Sequence, residues 1–366
     1  MPRLLQRNQH AIASAKAGAE RARLLARRVL LLARHWRVSE LPDALLEAET
    51  AVAATADRQA AAELALARGV AMYYGAQAHQ AVGPVQQACD AAREFGDAGL
   101  EAECEAWLGC IGATLHTDPA LVLQHLNRAV QLGATHRPLA AARGCYVAGT
   151  LYQEADLIEP AMAHYRRATA LARRENDEQL VAAIHRYMTL AQVQQCRRAQ
   201  AAGRLDAEEG KQALAALGSA RQLAAALTAD DVGLQFNLRL GEMLCLTGRF
   251  AEALEVFDAH VHDAVRRGMS WEATIVRADH SLCLVRCGRP VEAAAAGALA
   301  RAELADSFDA YTRAVVHGSL AELAVGLGDA VQAAMHREAA QSAWAEDRAY
   351  CAGLRQALLA QGPLTD

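Results

Sequence analysis

Gly248-Arg-Phe-Ala-Glu-Ala253, Gly288-Arg-Pro-Val-Glu-Ala293 and Gly328-Asp-Ala-Val-Gln-Ala333 are one phrase written three times, 40 residues apart. Each Gly sits where a helix stops, because glycine tolerates the left-handed backbone that a helix end often adopts. Five residues on, an Ala opens a second helix with a side chain small enough for close approach to the first. Twelve residues before each such Ala lies another small residue, Gly241, Ser281 and Ala321. Two helices whose axes cross closely need small residues on both sides of the crossing. The phrase therefore predicts a helix–turn–helix unit.

Working outward, the register recurs at Ala44, Gly83, Val122, Ala161 and Ala213, so that the successive steps are 39, 39, 39, 52, 40, 40 and 40. A period near 40 in a helically patterned chain means a stacked array of helix pairs. The earlier units carry Ala71, Cys110 and Gly149 at the first small position, and Ala191 takes that part in the interrupted fifth unit. Phe257, Tyr165 and Leu126 follow their register residues by four and so share a helical face with them. Alanine is abundant, aromatics are 5%, and no long stretch alternates as a strand does. The chain reads as all-α. Its 366 residues would allow two or three domains, but the period argues for one elongated solenoid.

On these residues the chain resembles the tetratricopeptide repeat family. Leu240-Gly241, Gly248, Ala253 and Phe257 fall where that family has its Leu-Gly, turn Gly, Ala and aromatic residue. The resemblance spans roughly residues 22–346 and is strongest in units four, six and seven. It implies a right-handed α-solenoid of about eight antiparallel helix pairs. The family's usual repeat is about 34 residues, so each pair here should be about a turn longer, similar to the long repeats of bacterial regulators and sensors. Unit one departs from the pattern, with Leu32 where a small residue is expected; that fits a terminal cap.

This organisation divides the chain into a basic N-terminal segment, 1–21, the repeat array, 22–346, and a C-terminal capping helix and tail, 347–366. Asp118-Pro119 starts a helix with a side-chain cap and Pro at its first position. Leu41-Pro42-Asp43 and Glu159-Pro160 open second helices, and Asp97, Asp230 and Asp306 fall in links between units. The step of 52 inserts about a dozen residues around 197–210. Either the first helix of unit five is extended there or a loop protrudes. Insertions in repeat proteins map to one face and often function; a tolerated surface loop is the plainer alternative.

The net charge of −5 is unevenly spread: residues 1–37 hold nine Arg or Lys against Glu20, leaving −13 for the rest. Such a stretch suits nucleic acid, anionic lipid or an acidic partner. Equally, Leu25, Val29, Leu32 and Trp36 make the buried stripe of a helix with Arg21, Arg28 and Arg34 on its wet face. The acidic body argues against nucleic acid wrapped along the array. No segment reaches the apolar length of a membrane span, and no apolar run follows the first charges as in a signal peptide. Nine scattered cysteines suggest a reduced, cytoplasmic protein.

No phosphate loop, nucleophile elbow or His-Glu-x-x-His occurs, so no enzyme and no cofactor are expected. His280, Cys283 and Cys287 share a helix face, but a fourth zinc ligand is missing. The resemblance places ligand contacts on the outward positions of each first helix. These are Arg68, Met72, Trp107, Ile111, Arg143, Tyr146 and Gln153, then His185, Met188, Gln192, Gln195, Gln235, Leu238 and Glu242. Aromatic and Met anchors supply apolar area, while Arg and amides pair with carboxylates or peptide backbone. A shift of one residue would turn some inward, Trp107 and Tyr146 first. Units seven and eight offer an apolar strip instead: Ile275, Ala278, Leu282, Val315 and Gly318.

The expected function is a non-catalytic scaffold binding a peptide or protein in a concave groove, with a homodimer through end units left open. The alternative is an input module of a bacterial signalling protein such as a diguanylate cyclase, whose catalytic domain opens with Asp-x-Leu-Thr, similar to the terminal Gly362-Pro-Leu-Thr.

Overall fold

The computed structural model describes residues 3–75, 77–227, 231–266, 270–305 and 308–361. Asp230, Asp306 and the Gly362–Asp366 ending lie outside them. The described residues form seventeen α-helices, one 3-10 turn at Val38–Glu40, and no strand. A leading helix α1 (Arg3–Ser14) precedes eight consecutive pairs. They are α2 (Ala19–Arg34) with α3 (Leu41–Thr55), α4 (Arg58–Tyr74) with α5 (Ala78–Phe95), α6 (Ala98–Thr114) with α7 (Pro119–His136), and α8 (Pro138–Glu154) with α9 (Ile158–Arg174). Then follow α10 (Glu178–Ala201) with α11 (Ala207–Leu227), α12 (Asp231–Leu246) with α13 (Phe250–Arg266), α14 (Ser270–Arg286) with α15 (Pro290–Glu303), and α16 (Ala310–Gly326) with α17 (Ala330–Gln361). The chain forms two compact units, Met1–Ile184 with Leu354–Asp366, and His185–Gly353.

The turns explain the phrase that opens the sequence. Gly248, Gly288 and Gly328 have φ of 75°, 77° and 78°, the left-handed region that favours glycine. In unit four the same place is held by Asp156 at φ 58°. Across the pair the small residues meet a large one: a Cβ on Gly241 would lie 2.4 Å from the Phe257 ring, and one on Gly149 2.9 Å from Tyr165. In unit two the register sits two residues earlier than expected. Ala81 and Val85 are buried while Gly83 is exposed, and Gly69, not Ala71, lies against Val85. The offsets of twelve and four are kept, so the unit is intact and only its phase differs. In unit three Gly109, one residue before Cys110, lies under Leu126.

In the first unit the first helices start from a cap at a fixed interval. Asp57, Asp97 and Asp177 each accept a backbone N–H from the residue three further on, at 2.6, 2.9 and 2.9 Å. The intervening slot is Arg137, which takes a different part described below. Helix α2 does not stay on its partner α3. It also packs on α4 and runs across the starts of the first helices. Arg23 donates to Gln59 at 2.6 Å, Arg27 to Glu103 at 2.5 Å, and Arg34 to Asp177 at 2.6 Å. Steps of about one and then two helical turns along α2 thus reach α4, α6 and the start of α10 in order. Arg34 is therefore buried, not on a wet face. Other cations of the basic stretch are paired as well: Arg3 with Glu178, Arg21 and Arg28 with Glu47, and Arg37 with Glu40.

The inserted residues near 197–210 form helix, not a protruding loop. α10 and α11 are both long, and only residues 202–206 link them. Helix α17 likewise runs unbroken to Gln361. Arg355 Nη1 donates to the main-chain oxygens of Ala155 and Asp156, at 3.0 and 3.2 Å, at the end of α8. No helix among the described residues is long and apolar enough to cross a membrane.

Candidate functional site

The expected ligand-contacting residues separate into two settings, one in each unit. In the first unit, helices α4, α6 and α8 bring together Trp107, Arg143 and Tyr146. All three are buried, Trp107 completely. The Arg143 guanidinium lies over the Trp107 indole, 3.7 Å from the ring centroid, an attractive arrangement of a cation on an electron-rich face. Tyr73 and Tyr74 meet Trp107 edge-on at 5.7 and 5.9 Å, and Trp36 meets Tyr74 at 5.3 Å. Trp36, Tyr73 and Tyr74 are half-buried. The result is an aromatic layer with one guanidinium set into it.

Arg143 has no carboxylate partner and no hydrogen bond among the described residues, although it is only 7% exposed. The Trp107 Nε1–H beside it also has no acceptor. Burial works against the charge on Arg143, but Tyr74, Cys110, Tyr146 and Asp177 outweigh it and hold the group above its ordinary value. The nearby carboxylates are committed elsewhere. Glu103 accepts from Arg27 and Arg137, Glu63 accepts from Arg137, and Asp177 accepts from Arg34. A buried cation normally finds a partner, since an unpaired one costs several kcal/mol. Arg143 has none among the described residues.

The second unit treats the same helix face differently. Arg239 donates to Glu242 and to Glu272, and Arg197 donates to Glu242 and Asp279. Ser319 donates to Asp279 at 2.7 Å, and Arg198 makes two bonds to Asp347 at 2.8 Å. Burial raises the Asp279 carboxyl above its usual range; Arg197 pulls it back only in part. These charges close on one another. Glu242, expected to contact ligand, is 1% exposed and belongs to this ion network. Gln235 is buried and accepts from Arg186. Leu238 is core, as are Ile275, Ala278 and Val315 of the apolar strip. The reason is phase: these positions face the neighbouring first helix, not an open surface.

The remaining positions are scattered. Arg68 is exposed and paired with Glu49 at 2.7 Å. Met72 is half-buried, as are His185, Met188, Gln192 and Gln195 along α10, while Ile111 and Gln153 are buried. His280 bonds Asp258 at 2.8 Å, Cys283 is buried and Cys287 exposed. Among the described residues no three metal-ligating side chains stand together.

Sequence reasoning missed Tyr73, Tyr74 and Asp177. The cap series Asp57, Asp97, Arg137, Asp177 carries a readable signal, because a period of 40 with one charge reversed marks a place where charge is used for something else.

No family model matches the sequence, and no curated protein matches it. Solved structures do. A Rap protein complexed with Competence and Sporulation Factor superposes with a TM-score of 0.60 at 14% identity, over 97% of this chain and 93% of that one. The Rap conjugation gene regulator of the plasmid pLS20, in complex with the Phr* peptide, gives 0.56 at 13% identity, over 92% and 98%. The chain therefore shares the all-helical repeat fold of these two proteins. Within this helical array, α4, α6 and α8 are the first helices of consecutive pairs. Trp107 and Arg143 thus stand on neighbouring repeats of one face.

Proposed function

We propose that this chain is a non-catalytic, cytoplasmic binding protein that takes a peptide, or a peptide-like segment of a partner, on α4, α6 and α8 of its first unit. The observation that carries the reading is Arg143: a buried guanidinium on a Trp face with no acceptor among the described residues. A site of this kind supplies a central anchor and a polar group to orient what it holds. The fold agrees with the reading, since the two structural neighbours named above were solved with a factor or a peptide bound. The ion network of the second unit pairs Arg197 and Arg239 with carboxylates of the same unit, which suits structure more than recognition.

The test is selection of a random peptide library on the immobilised full-length chain, followed by calorimetry with the enriched peptides. One saturable site and a raised Tm in the presence of peptide are expected. Failure of any peptide to enrich over bare support would overturn the reading.

A further inference from the structure

Two polar groups at the first-unit site have no acceptor among the described residues, the Arg143 guanidinium and the Trp107 Nε1–H. Beside them lies the half-buried aromatic edge of Trp36, Tyr73 and Tyr74, whose rings pack edge-on. Both polar groups are donors, so their missing partner is an acceptor. One of them is a full cation, so the favoured acceptor is an anion; hydrogen bonds to a charged group are about twice as strong as neutral ones.

The surroundings set its charge. Glu103 and Asp177 lie close enough to act on Arg143, and each is already bonded to another guanidinium. A dianion such as phosphate would be repelled more strongly than a monoanion by those two carboxylates in a poorly screened setting. A monoanion meets only the charge that Arg143 leaves over. A carboxylate has the two oxygens needed to take one bond from Arg143 and one from the indole N–H. The ring edges beside it fit a flat or apolar group next to that carboxylate.

We infer that Arg143 and Trp107 form a receptor for a single carboxylate carried next to an apolar or aromatic group, at the end of a peptide or on an acidic side chain. This inference rests on the peptide-binding reading and adds the chemistry of its anchor. The other buried guanidiniums among the described residues are unsuited to the part. Arg34, Arg197 and Arg239 are each bonded to carboxylates of the chain itself, as is the half-buried Arg137.

The test follows the four indole N–H resonances of the 15N-labelled full-length chain, with the Trp107 signal assigned from Trp107→Phe. Three probes are titrated: N-acetyl-phenylalanine, N-acetyl-phenylalaninamide and N-acetyl-glutamyl-phenylalaninamide. The Trp107 signal is expected to shift with the first, the third or both, and not with the neutral amide. The first arm reports a terminal carboxylate and the third an acidic side chain. In Arg143→Gln the response should weaken about ten- to a hundredfold, the usual worth of a hydrogen bond to a charged group. In Arg143→Lys it should be partly kept. The other three indole signals and the Tm of each variant report whether the fold is intact. Equal shifts with acid and amide, no shift with any probe, or an unchanged response in a folded Arg143→Gln would each overturn the carboxylate receptor. Library peptides that bind with no free carboxylate and no acidic residue would overturn it too, while leaving the peptide-binding reading standing.

Discussion

Glu103 shows how one residue ties the sequence to the behaviour of the first unit. Burial alone pushes its carboxyl up, but Arg27, Arg137 and Arg143 reverse this and hold it at about 2, well below the usual carboxylate range. A carboxyl whose folded pKa is depressed contributes stability above its unfolded pKa and loses it as pH falls through the folded one. Asp177 and Glu105 are lowered as well and act in the same sense, whereas the raised Asp279 acts in the opposite one. Stability of the first unit should therefore fall between about pH 5 and pH 2. Glu103→Gln should cost about 3 kcal/mol at pH 7 and flatten that acid limb. Urea denaturation across this pH range measures both; an acid limb as steep in Glu103→Gln as in wild type would refute the assignment.

At the same scale, the sequence was legible where a position has a steric reason. Gly241 must be small because Phe257 lies against it, and Gly248 must tolerate a positive φ. Both could be read from spacing alone. Which way Trp107, Tyr146 and Glu242 point could not, because a helix period of 3.6 leaves an outward and an inward position one residue apart. Alanine-rich helices make this worse, since their apolar stripe has no sharp edge; Gly83 was misphased for that reason.

Among elements, α2 and α10 depart most from a plain repeat. The pattern of α2 predicts an apolar stripe and a charged face, and both exist. Yet the charged face is spent on the starts of α4, α6 and α10, contacts up to 143 residues distant that no local pattern reveals. The insertion in α10 has a comparable use. By lengthening the helix it carries Arg197 into the carboxylates of α12 and α14. Removing one member of a buried ion pair strands the other, at about 3–5 kcal/mol, whereas removing both costs less. Arg197→Met is therefore expected to destabilise the second unit by about that amount, and Arg197→Met combined with Asp279→Asn by clearly less. Denaturant midpoints of the two variants check this; a double variant no better than the single would show that Arg197 acts through packing alone.

At the scale of the molecule, the described residues form eight helix pairs that follow the period read from the sequence, and their fold is shared by proteins with only 13 or 14% identity to the chain. Such arrays keep the small and turn positions that make a repeat and let the faces vary. In this chain the first-helix face is closed by internal ion pairs in the second unit, and in the first it carries a guanidinium with no acceptor among the described residues. Hydrogen exchange of the full-length chain, with and without a library-selected peptide, tests that contrast most directly. Bound peptide should slow exchange in α4, α6 and α8 and leave the ion network of α12, α14 and α16 unchanged. Protection confined to the second unit, with none on α4, α6 and α8, would contradict the account.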